Sequence, residues 1–194
     1  MTQSTDRFPV ALRVLHWLMA ALIIVMLFIG VGMVSTVSEM RTWLIELHKP
    51  LGLLIFCLAA VRLSLRLTRP VPVLPKDLPA WQRAGARLSH VALYVLMFAL
   101  PLVGWAMLSA GGYPVKLFDT VLLPPLVDVD PALFATLRQA HTVLALLLFA
   151  TILAHLGAAL FHAWIRRDAV FRSMQPWGGA MPVAPVSRRN GGLR

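Results

Sequence analysis

The stretch "AHTVLALLLFATILAH" (residues 140–155) decides how this chain reads. It is apolar almost throughout, holds no formal charge, and has a histidine near each end, His141 and His155. A helix rises about 1.5 Å per residue, so the two imidazoles stand roughly 21 Å apart along the axis. Their separation in sequence is close to four turns, which sends both rings out on nearly the same side.

The rest of the chain shares this apolar character. Of its 194 residues 59% are hydrophobic and 13% charged, and the mean hydropathy is +0.77. A soluble domain carries about a quarter charged residues. The apolar residues fall in long blocks: 14–38, 88–115 and 139–165 contain no charge, and 47–65 contains only Lys49 and Arg62. Each is long enough for the roughly 20 residues of a membrane-spanning helix. A segment in lipid must satisfy its backbone internally, so the expected fold is all-α, an integral membrane four-helix bundle. The spans are expected at about 14–37, 47–67, 88–110 and 138–165, within one domain over 1–174. The first block is too long for the apolar core of a secretory signal and reads as a retained span.

The formal charge of +10 follows from topology rather than from nucleic-acid binding. Fourteen of the 18 Lys and Arg fall in the N-terminus, the connection around 62–87 and the C-terminal tail, Lys76, Arg188, Arg189 and Arg194 among them. The acidic Glu39, Glu46, Asp119, Asp128 and Asp130 lie on the other side. The positive-inside rule then puts both termini in the cytoplasm. The proline-rich "TRPVPVLPKDLPAW" (68–81) separates the second and third spans. Asp130-Pro131 supplies a helix cap and a first helical residue, so the fourth helix is expected to start outside the membrane. The Gly- and Pro-rich segment 175–194 is expected to be a disordered cytoplasmic tail. Cys57, alone and in mid-span, reads as a small apolar residue.

All six histidines lie in or at the ends of spans, where ionisable groups are costly and usually functional. His48 and His141 share one level, His16 and His155 the other. Two levels with two imidazoles each suit two six-coordinate b-type haems, whose irons have no open position for oxygen. Zinc sites gather four ligands at one point, usually with cysteine or carboxylate among them, and no carboxylate lies within the spans. His90 starts the third span at the inner level, so spacing alone leaves His16–His155, His16–His90 and His90–His155 open. His162 lies two turns beyond His155, too far for the same iron. His90 and His162 suit a quinone head group or proton transfer, with a snorkelling interface role as the plain alternative.

Four motifs carry a resemblance: "RVLHW" (13–17), "LHKPLG" (47–52), "HVALYVLMFALPLVGWAM" (90–107) and "AHTVLALLLFATILAHLGAALFHAWIRRDAVFRSM" (140–174). Together they resemble the bacterial cytochrome b561 family of four-helix di-haem proteins of the inner membrane. The resemblance runs from about 8 to 174 and implies His16 with His155 on the inner haem iron and His48 with His141 on the outer. The family's exit usually carries two adjacent histidines; here Ala163 follows His162.

The resemblance also implies electron transfer from a periplasmic donor to ubiquinone. Superoxide is the associated donor, which would make the protein an oxidoreductase of the superoxide:quinone type. Lys49, Lys116 and Arg138 would form the approach path for that anion. Arg13 is expected at a haem propionate and Arg87 near the quinone, both against an alternative as ordinary positive-inside charges. A different class of function is the membrane cytochrome b subunit of a larger dehydrogenase or hydrogenase, fed by a docked periplasmic redox protein. A non-redox structural or transport protein is the remaining class.

Overall fold

The computed structural model describes residues 7–70, 72, 77–117 and 121–176. Lys76, Asp119 and the tail from 177 onward, with Arg188, Arg189 and Arg194, lie outside the described residues. Four long helices dominate: α1 Val10–Ser35, α2 Glu39–Thr68, α3 Ala80–Ala110 and α4 Pro131–Leu160. α4 runs on through a π-helical segment, Phe161–Arg166, and a short α5 follows at Ala169–Met174. All four long helices have the length and hydropathy to cross a membrane. They alternate in direction, so α1 begins, α2 ends, α3 begins and α4 ends at one face, called here the N-terminal face.

The helices exceed the apolar blocks. α2 starts at Glu39, well before 47, because Glu39, Arg41 and Glu46 interrupt the hydropathy without interrupting the helix. Glu39 also sits in the first turn, where a carboxylate favours the helix dipole. α3 likewise begins at Ala80 rather than near 88. Pro50 and Pro101 lie inside α2 and α3, as neighbouring helices in a membrane allow. α4 starts where its cap lies: the Asp130 carboxylate accepts from the Ala132 and Leu133 amides at 2.8 and 3.0 Å, and Pro131 follows it.

The connection between α3 and α4 holds an antiparallel hairpin that the sequence reading did not foresee. β1 Val115–Leu117 pairs with β2 Val121–Leu123, with Val115 opposite Leu123 and Leu117 opposite Val121. Tertiary bonds hold it over the bundle end. Trp105 Nε1 donates to the Pro124 carbonyl at 3.0 Å, the Leu126 amide to Ser109 Oγ at 3.1 Å, and the Asp130 amide to the Ala110 carbonyl at 2.9 Å. Gly112 turns the chain out of α3 at φ +70°, a conformation that suits glycine. This end is the hairpin face.

At the N-terminal face, α5 is tied back to α1. The Phe8 amide donates to Ser173, Trp17 Nε1 to Met174 and Arg13 Nη1 to Gln175, all to backbone carbonyls. Inside the bundle, the buried core is a single mid-depth layer of Met19, Ile23, Ile55, Ala59, Leu96, Met97 and Leu148. Every long helix contributes to it. Outward-facing apolar residues remain uncovered, Phe28 at 75% exposure among them, as suits a surface solvated by lipid. Asp130→Ala should cost about 1 kcal/mol of stability by uncapping α4. A thermal melt in detergent would read this as a lowered Tm.

Candidate functional site

Backbone packing runs from α1 to α2, α2 to α3 and α3 to α4. The backbone of α4 stands off from α1 and α2, yet its two histidines face those helices. The His155 ring centroid lies 6.2 Å from that of His16 on α1, and the His141 centroid lies 6.1 Å from that of His48 on α2. The helices joined by paired imidazoles are therefore the ones that do not pack closely. The apolar layer around Leu148 fills the space midway between the two levels.

These separations allow a direct fit test. An imidazole nitrogen binds a metal at about 2.0 Å, and the ring centroid lies about 1.1 Å behind it, so two rings opposed on one ion sit roughly 6 Å apart. Both pairs meet that value. Room at the upper pair depends on Gly104: a Cβ there would come within 3.3 Å of His141 Cε1. His48 Nδ1 and His141 Nδ1 are buried outside hydrogen-bond geometry, and the Leu100 carbonyl lies near His141 without completing a bond. Among the described residues, no group of three or more His, Cys, Asp or Glu side chains is arranged to hold a metal ion. Each facing pair is spaced so that it could hold one metal-centred group between its rings.

His90 joins the lower level, its ring 5.4 Å from His155, closer than two rings opposed on one metal would stand. His162 is set apart. Its Nδ1 lies 2.7 Å from Asp168 Oδ2, which Arg166 Nε also meets at 3.2 Å, while Arg166 Nη2 reaches Asp77 at 2.6 Å. The same Asp168 caps α5 through the Val170 amide. Sequence spacing did not reveal this network, because the left-handed turn at Arg167 (φ 56°) brings Asp168 back toward His162.

The other expected site residues are spread out. Arg13 Nη1 is engaged by the Gln175 carbonyl at 2.9 Å. Arg87 is exposed on α3. Lys49 pairs with Glu46 at 2.8 Å on α2, Lys116 is exposed on β1, and Arg138 is exposed on α4. The three cations stand on three separate elements near the hairpin face.

Residues 7–177 match the family described as prokaryotic cytochrome b561. This chain belongs to that family. It is similar to "Cytochrome b561 homolog 1" of Escherichia coli (strain K12), with 29% identity over 181 residues, 88% of this chain and 98% of the relative. It is also similar to "Cytochrome b561 homolog 2" of the same strain, with 30% identity over 177 residues, 89% of this chain and 93% of the relative. A third relative, "Probable superoxide oxidase CybB" of Yersinia pestis, is 28% identical over 163 residues, 84% of this chain and 92% of that protein. As a cytochrome b561 family member with four spanning helices, the chain is a multi-pass electron-transfer protein of the bacterial inner membrane. Family membership implies that it binds haem b.

One residue of the site escaped the sequence reading. Arg62 is only 8% exposed, donates to the Leu12 carbonyl at 2.6 Å, and lies within electrostatic range of His16, His90 and His155. Charge patterning alone places it among the positive charges at the membrane surface. Its sequence signal is spacing: Arg62 follows His48 by the same interval that separates His155 from His141. Gly104→Leu should push the His141 ring away and, if that ring holds haem, lower the haem content of the protein. Pyridine haemochrome quantitation would read this as a lower haem-to-protein ratio than in the unmodified protein.

Proposed function

We propose that the chain holds two haem b groups, one between His16 and His155 and one between His48 and His141, and moves electrons across the membrane between them. The observation that carries this reading is the pair of ring separations, 6.2 and 6.1 Å, set between helices whose backbones do not pack closely. When bound, haem b supplies a one-electron couple at each iron. The protein's part is ligation, spacing and exclusion of water. His16, His155, His48 and His141 would hold the two irons through their imidazoles, and the haems would then supply electron transfer rather than oxygen binding. The core layer around Leu148 keeps the interval between the levels dry.

On this reading both termini lie in the cytoplasm, as the excess of Lys and Arg toward the N-terminal face supports. The hairpin face is then periplasmic and receives the electrons, with superoxide as donor and ubiquinone as acceptor. Two superoxide ions lose one electron each and become dioxygen. Ubiquinone takes the two electrons with two protons and becomes ubiquinol. The relative named as a probable superoxide oxidase supports this choice of donor. Lys116 and Arg138, exposed near the hairpin face, attract the anion. Lys49 contributes less, because Glu46 offsets its charge. His90, His162 and Arg87 serve the quinone side. With Nδ1 held by Asp168, His162 presents Nε2 for hydrogen bonding or proton transfer.

His48→Ala or His141→Ala should remove one haem and leave the other. A reduced-minus-oxidised spectrum with haem quantitation tests this, and loss of both haems or of neither would refute the pairing. Neutral replacement of Lys116 and Arg138 together should slow haem reduction by superoxide several-fold and flatten its dependence on ionic strength. Stopped-flow absorbance at several salt concentrations measures both effects, and rates equal to those of the unmodified protein would exclude superoxide steering by this pair.

A further inference from the structure

Arg62 carries a charge that the described protein does not balance. It is buried in α2 inside a membrane-spanning bundle. Its hydrogen bond to the Leu12 carbonyl occupies one N–H but offers no counter-charge. The Tyr94 hydroxyl faces the guanidinium without completing a hydrogen bond. Arg66, one turn further on, adds a second cation within range. A buried charge needs a partner of opposite sign.

The described carboxylates are committed elsewhere. Glu46 meets Lys49, Asp77 meets Arg166, and Asp168 meets His162 and Arg166. Asp130 caps α4, and Glu39 opens α2 at the opposite end from Arg62. Asp128 follows the hairpin, also at that opposite face. Among the described residues, none forms an ion pair with Arg62. An anion bound at this level would balance it.

Position narrows the choice. α2 and α4 run in the same direction, and Arg62 stands on α2 where His155 stands on α4, one interval of 14 residues after His48 and His141 respectively. The same interval keeps Arg62 on nearly the same side of α2 as His48. Its contact, Leu12, is one turn before His16, toward the N-terminal face. The guanidinium thus sits beside the His16–His155 pair on its water-facing side, where a carboxylate edge is most easily solvated. Guanidinium geometry matches a carboxylate through two parallel hydrogen bonds.

We propose that Arg62 anchors a propionate carboxylate of the haem held by His16 and His155, and that its charge raises the midpoint potential of that haem. This rests on the two-haem reading above. A fixed cation near the iron favours the less positive, reduced state. The electron is thereby drawn toward the N-terminal face.

The test uses the purified full-length holoprotein. Haem quantitation of the unmodified protein comes first: fewer than two haems per chain would defeat the two-haem reading itself. With two haems present, Arg62→Gln is compared by potentiometric titration and by the propionate bending band in resonance Raman spectra. The expected result is a fall in one midpoint only, with a shifted propionate band. Repeating the comparison in the His48→Ala background, which keeps the His16–His155 level, should show the same fall. Arg62→Lys keeps the charge and loses the planar fork, so the potential should fall less while the band still shifts. If Arg62→Gln does not retain both haems, Arg62→Lys decides. Unchanged bands in the variant that folds, or a fall confined to the other haem, would overturn the assignment and leave the two-haem reading standing.

Discussion

The structure depends on two imidazole pairs facing each other across gaps that the backbone does not close. α4 packs along α3 and is linked to α1 and α2 chiefly through His155 facing His16, His141 facing His48, and one apolar layer at Leu148. In lipid there is no hydrophobic force to collapse a helix onto its neighbours. What brings α4 to its place must be packing, polar contact or a shared ligand. A metal-centred group clamped by both rings of each pair would supply that force directly, joining the fold of the bundle to its cofactor content.

The two faces of the bundle are built differently. The hairpin face is closed by backbone: a short β-ribbon, a glycine turn and side-chain bonds from Trp105 and Ser109. The N-terminal face is held by charge: Arg166 bridges Asp77 and Asp168, and Arg13 holds the carbonyl after α5. Arg62 and Arg66 enter the bundle from that same side. An asymmetric distribution of fixed cations biases where an electron rests, and so would give a direction to electron transfer through the bundle.

Much of this was legible in the sequence because membrane helices advertise themselves. Long apolar blocks in lipid can satisfy their backbone only as helices, so four blocks meant four helices. Histidine depth within each span followed from residue count and the helical rise. Asp130-Pro131 marked the start of α4 by capping chemistry alone. The two histidine levels could therefore be drawn before any tertiary contact was known, while spacing alone left His16, His90 and His155 open at one of them.

What the sequence by itself determined was the one-dimensional order: which segments span, how deep each histidine lies, and which of the segments between spans are basic. What only the tertiary structure decided was lateral: that α4 stands off from α1 and α2, that Asp168 turns back to His162, that 115–117 pair with 121–123, and that Arg62 is buried beside the imidazoles instead of exposed at the surface. The physical reason is that rise along a helix is fixed by backbone hydrogen bonding within the segment. Rotation and distance between helices are set by contacts between segments, and no local pattern encodes them.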